Sequence, residues 1–98
     1  MPEVIPASLK PNDFESVTMT GSALSLDSAK VAASEAALIQ FQGGDGYYRM
    51  DGTAPVAGAG GGLFSADGAA PLFLERVDLS SFKAIATAGV ELVVHYLS

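Results

Sequence analysis

Apolar and polar residues alternate along most of this chain, in short runs broken by glycine. From Phe14 to Thr20, FESVTMT, residues Phe14, Ser16, Thr18 and Thr20 share one face and Glu15, Val17 and Met19 the other, which is strand period. β-branched content supports the same reading. Gly21-Ser22 signals a turn and Ala23 to Leu26 offers a short second strand, so Phe14–Leu26 predicts a hairpin. Asp27 to Glu35 is alanine-rich without a sustained apolar stripe and predicts one helical turn at most. In Ala36 to Gln42, Ala37, Ile39 and Phe41 share a face; Gly43-Gly44-Asp45-Gly46 then permits a tight reversal. Tyr47 to Met50 is expected to return antiparallel to that strand. Leu63-Phe64 and Pro71 to Leu74 read as short strands around Ser65-Ala66-Asp67-Gly68. Val77 to Phe82 resembles a turn or a single 3₁₀ turn leading into Lys83 to Thr87, and Gly89 is expected to make a hairpin into Val90–Leu97. There Val90, Leu92, Val94 and Tyr96 form one stripe, and Glu91, Val93, His95 and Leu97 the other.

About eight short strands with turn signals roughly every 8–12 residues predict an all-β protein. No helix-length amphipathic segment intervenes, which argues against alternating strand–helix architecture. The expected fold is a small antiparallel β-sandwich, jelly-roll-like, over residues 14–98. Residues 1–13 hold Pro2, Pro6 and Pro11, which block helix and interrupt ladder pairing, so they read as an extended N-terminal arm. Asp51 to Gly62, DGTAPVAGAGGG, carries five glycines, three alanines and one proline, and reads as a long loop without packing periodicity.

Composition narrows the function. The 98 residues suffice for one core. Apolar residues make up 49% and charged residues 16%, against roughly 25% charged in an ordinary soluble domain. A chain of this size buries only about 60–68% of the surface its unfolded form exposes. With few charges to cover the remainder, apolar area is expected outside the core, and such area marks contacts with other proteins. The net charge of −6, with five cations, argues against nucleic acid as a partner. Absence of cysteine removes disulfides, a thiolate nucleophile and cysteine-based metal sites. No basic region followed by an apolar run opens the chain, and the uncharged stretch Gly52–Ala66 is too short and glycine-rich to span a bilayer. The expectation is a soluble protein made in the cytoplasm, with no membrane partner.

The search for chemistry returns structural readings. His95 has no nucleophile or orienting acid in view, and reads as a half-buried strand residue. Asp45-Gly46, Asp51-Gly52 and Asp67-Gly68 have turn chemistry, and none sits in a loop with calcium-ligand spacing. Gly58–Gly62, GAGGG, lacks the Lys-Ser/Thr and helix of a phosphate cradle. Glu75 and Glu91 have no spacing that marks a glycosidase pair. No catalytic, cofactor-binding or metal-ligating residues are assigned, and the chain is expected not to be an enzyme.

Leu38 to Pro55, LIQFQGGDGYYRMDGTAP, carries an Arg-x-Asp-Gly-Thr-x-Pro turn: Arg49, Asp51, Gly52, Thr53 and Pro55. Leu79, Ser80, Phe82 and Ile85 follow, then an apolar strand with Leu92, Val94 and Tyr96. Over Ala36–Ser98 this resembles small virion structural proteins of tailed bacteriophages; the Ala/Gly-rich Val56–Gly62 departs from their pattern. By itself the turn is structural: Asp51 can accept backbone N–H groups, Gly52 supplies positive φ, Pro55 stops pairing and Arg49 can clamp Asp51 or a neighbouring carboxylate. The resemblance implies a non-enzymatic capsid decoration, or cement, protein on the outer surface of the virion. Its partners would be the major capsid protein and copies of itself, with a trimer favoured. The arm (Pro2, Val4, Ile5, Pro6, Leu9, Pro11) and the loop (Pro55, Val56) are the expected contact residues. A head–tail, tail accessory or spike protein is the alternative within the virion, and a small-ligand or carbohydrate-binding sandwich the alternative outside it.

Overall fold

In a computed structural model, which describes residues 9–58 and 60–98, the alternating runs form eight strands. They are β1 (Pro11–Thr18), β2 (Leu24–Ser25), β3 (Ala36–Gln42), β4 (Gly46–Arg49), β5 (Leu63–Ser65), β6 (Leu72–Glu75), β7 (Lys83–Ala86) and β8 (Glu91–Leu97). Two short helices, α1 (Ser28–Ala32) and α2 (Arg76–Leu79), fill the β2–β3 and β6–β7 connections. Asp27 caps α1, its carboxylate accepting the N–H groups of Ala29 at 3.0 Å and Lys30 at 3.1 Å.

Sheet A has the order β1-β8-β3-β6 and sheet B the order β2-β7-β4-β5. Pairing is antiparallel and nested: β1 with β8, β2 with β7, β3 with β6, β4 with β5. The chain is thus one long hairpin with its tip between β4 and β5. It is wrapped so that, the tip apart, each strand lies in the sheet opposite its predecessor. This is the jelly-roll topology expected.

Three expected hairpins are not formed. β1 and β2, β3 and β4, and β7 and β8 each lie in different sheets. Alternation tells which residues of a strand face the core. It does not tell whether the next strand lies beside the first or across the core from it, because both arrangements present the same apolar stripe. Gly46 shows the crossing at β3–β4. A Cβ there would lie 2.1 Å from the Phe41 ring, so the ring packs against the start of β4. The turn before it is latched to residues 66–68: Asp67 accepts the Gly43 N–H at 2.9 Å, and Asp45 accepts the Asp67 N–H at 2.8 Å.

Strand β1 begins at Pro11, within the stretch expected to be an arm. Pro11 pairs with Leu97 and Asp13 with Tyr96 around a bulge, so Pro11 to Asp13 belong to sheet A. Proline is tolerated at the first position of an edge strand, where no ladder N–H is needed. Residues 1–8, with Pro2, Val4, Ile5 and Pro6, lie outside the described residues.

Between the sheets, Ile39, Phe41, Leu92, Val94 and Tyr96 from sheet A meet Tyr48, Ala84 and Ala86 from sheet B. Met19, Leu79 and Phe82 join the same core. Tyr48 and Phe82 stack with centroids 5.7 Å apart. The buried Tyr96 hydroxyl donates to Glu15 at 2.7 Å, and burial, then the bond to that carboxylate, hold the phenol well above its ordinary range. Among the described residues, no helix is long and apolar enough to cross a membrane.

Candidate functional site

The hairpin tip is a built structure. Arg49 donates through Nε to Asp51 Oδ1 at 3.0 Å and through its second nitrogen to Oδ2, and Asp51 also accepts the Thr53 N–H at 3.2 Å. The Arg49 hydrogen bond first, and the Thr53 N–H second, hold the Asp51 carboxyl below its ordinary range. Gly52, at φ 81°, donates its N–H to the Ser81 carbonyl at 3.1 Å, tying the tip to the segment before β7. The clamp, the Asx-type turn and the positive-φ glycine are as the residue types imply.

Beyond the turn, the Ala/Gly run is closed on itself. Val56 donates its N–H to the Gly61 carbonyl at 2.9 Å, and Gly61 to that of Gly58 at 3.1 Å. A Cβ at Gly61 would lie 1.8 Å from the Val56 carbonyl oxygen, so only glycine permits this backbone approach. Of the two loop residues expected at a partner surface, Val56 is 67% exposed. Pro55 is buried against Gly62, and its ring holds the loop from inside. Leu63 and Phe64, at the start of β5, are also exposed. Of the arm residues described, Leu9 is half-buried and Pro11 exposed.

Register shows a feature the strand patterns had hidden. On sheet A, Phe14 is opposite His95, His95 opposite Leu38, and Leu38 opposite Phe73. Their neighbours in sequence, Tyr96, Ala37 and Leu74, face the core. The four therefore form a stripe across the outer face of all four strands. Phe14 and His95 meet edge-on at 6.0 Å. His95, expected half-buried, is exposed. On sheet B, Phe64, Tyr47 and Ile85 form the equivalent outward stripe, with Tyr47 and Phe64 edge-on at 5.5 Å. The signal lay in strands apolar on both phases: Leu38 beside Ala37 and Ile39, Phe73 beside Leu72 and Leu74, and Tyr47 beside Tyr48.

A groove of about 640 Å³ separates α1 from α2. Val31, Val77 and Leu79 line it, with Ser28 and Arg76 among its polar members. Arg76 is held by the Ser34 carbonyl at 2.7 Å and by Glu35 at 3.0 Å.

Glu75 and Glu91 stand at opposite ends of sheet A, opposite Ala36 and Gln42 of β3. Six residues of strand separate them by about 20 Å, far beyond the spacing of a glycosidase pair. Glu91 accepts from Ser16 Oγ at 2.9 Å and Thr18 Oγ1 at 2.5 Å, and the Thr18 bond, then the Ser16 bond, lower its pKa. Among the described residues, no three His, Asp or Glu side chains could together hold a metal ion. Comparison of the chain with protein-family models, with curated proteins and with solved structures found no match.

Proposed function

We propose that this chain is a non-enzymatic structural protein of a tailed-bacteriophage virion, a capsid decoration protein that binds the outer shell. Its partner would be the major capsid protein. Binding only to the assembled lattice stabilises that lattice by mass action, and many copies acting together gain avidity. The observation that carries the reading is the tip. A clamped turn of Arg49, Asp51, Gly52 and Thr53 projects the apolar Val56 from a loop held closed by its own backbone. A rigid apolar projection loses little conformational entropy on docking. Jelly rolls recur in viral capsid domains, which supports the same reading. So does the resemblance over Ala36–Ser98.

Mass spectrometry of purified particles tests it. Hundreds of copies per particle are expected. A number matching a single ring would favour a head–tail or tail position, and absence would reject both. Val56→Asp would place a charge in the contact, and occupancy is expected to need about 30-fold more protein, the effect of losing a hot-spot residue worth about 2 kcal/mol. Unchanged occupancy would remove the tip from the interface.

The groove between α1 and α2 favours the second reading, a small-ligand-binding sandwich, because its volume falls in the range of ligand pockets. Chemical-shift changes at Val31 and Val77 on adding apolar fragments would support that reading.

A further inference from the structure

We propose that the outer face of sheet A in one copy of this chain packs on the outer face of sheet B in the next, head to tail, to close a ring. Each face carries a stripe, apolar but for the exposed His95, whose Phe14 or Phe64 end is exposed and whose other apolar members are half-buried among the described residues. Phe14, His95, Leu38 and Phe73 cross sheet A, and Phe64, Tyr47 and Ile85 cross sheet B. Phe14 is 54% and Phe64 57% exposed, and each sits on an edge strand in an edge-on aromatic pair.

Charge decides which face meets which. The charged residues pointing outward from the strands of sheet A are Glu75 and Glu91. Those pointing outward from sheet B are Arg49 and Lys83, and Arg49 is neutralised by Asp51. Among the described residues, Glu75, Glu91 and Lys83 have no opposite charge within ion-pair distance. Face A on face A would bring carboxylates together, and face B on face B would bring Lys83 onto Lys83. Face A on face B pairs Glu75 with Lys83. The spacing matches as well: Glu75 lies two residues from Phe73, and Lys83 two from Ile85, about 7 Å along the strand in each case. Like charges opposed across an interface reject the symmetric pairings, and unlike charges fix the register of the mixed one. A contact between two different faces cannot satisfy a two-fold dimer; it closes as a ring or runs on as a filament. The inference is independent of the capsid reading, because a ring in solution with no chain in particles would end that reading and leave this one standing.

Light scattering coupled to size exclusion tests it. At about 1 mM, where a contact of about 10 μM is mostly filled, the protein is expected to run at three or more times its 10.0 kDa chain mass. Phe14→Glu disables face A alone and Phe64→Glu face B alone, and each variant is expected to be monomeric. Mixed in equal amounts they retain one good face apiece, and a species of two chains is expected. Lys83→Glu is likewise expected to be monomeric, and the double variant Lys83→Glu with Glu75→Lys to regain the ring. Circular dichroism verifies that each variant is folded. A wild-type monomer or two-chain species, an unchanged mass for Phe64→Glu, or a mixture that stays monomeric would each overturn the proposal. If a phenylalanine variant does not fold, the charge pair decides, and failure of the double variant to assemble overturns it.

Discussion

Gly46 and Phe41 show how single residues set the path of the chain. The glycine opens β4 without a side chain because the phenylalanine ring occupies the place of its Cβ. Gly46→Ala must push the ring aside, and overpacking of this kind costs about 1–3 kcal/mol. Urea unfolding should read that loss as a lower midpoint with an unchanged slope. A wild-type midpoint would mean that the ring does not cover β4. At this scale much was legible. The roles of Arg49, Asp51 and Gly52 followed from their chemistry, because a carboxylate two residues from an arginine and followed by glycine has few other local solutions. Pro55 and His95 were misjudged, since both depend on what the rest of the chain brings to them. Pro55 is buried against Gly62, and His95 stands exposed beside Phe14.

Strands and turns behaved differently from residues. The stripe of Val90, just before β8, and Leu92, Val94 and Tyr96 within it is buried in the core, as its alternation required. The partners of each strand were not legible. Nested pairing joins residues as distant as Pro11 and Leu97, and a stripe facing the core carries no label for its neighbour. The tip, expected as a long loop without packing periodicity, is closed by bonds among backbone atoms, which leave no trace in side-chain pattern. Its clamp gives a pH prediction. Asp51 is held below its ordinary 3.8, mainly by Arg49, so the ionised form favours the folded turn. That contribution is present above about pH 4 and is lost as pH falls through the depressed value. Asp13, through the Phe14 N–H and Lys30, and Glu91, through Thr18 and Ser16, act in the same direction. The melting temperature should be flat from about pH 7 to 5 and fall below about 4, with a smaller fall in Asp51→Asn. An equally steep fall in that variant would show that the clamp does not contribute.

For the whole molecule, the account joins two kinds of surface on one jelly roll. In the proposed reading the tip docks on a shell, and the two sheet faces meet other copies. They do not compete, because the stripes cross the sheets while Val56 stands beyond the end of β4. A low charged fraction pointed to assembly before any strand was placed. It did not show that the uncovered apolar residues line up, since that alignment exists only once register is set. A reconstruction of the phage particle tests the central claim most directly. The account predicts density for this jelly roll on the outer surface of the capsid, with residues 51–62 turned toward the capsid subunits. A shell fully accounted for without this chain, or one on which those residues point into solvent, would contradict it.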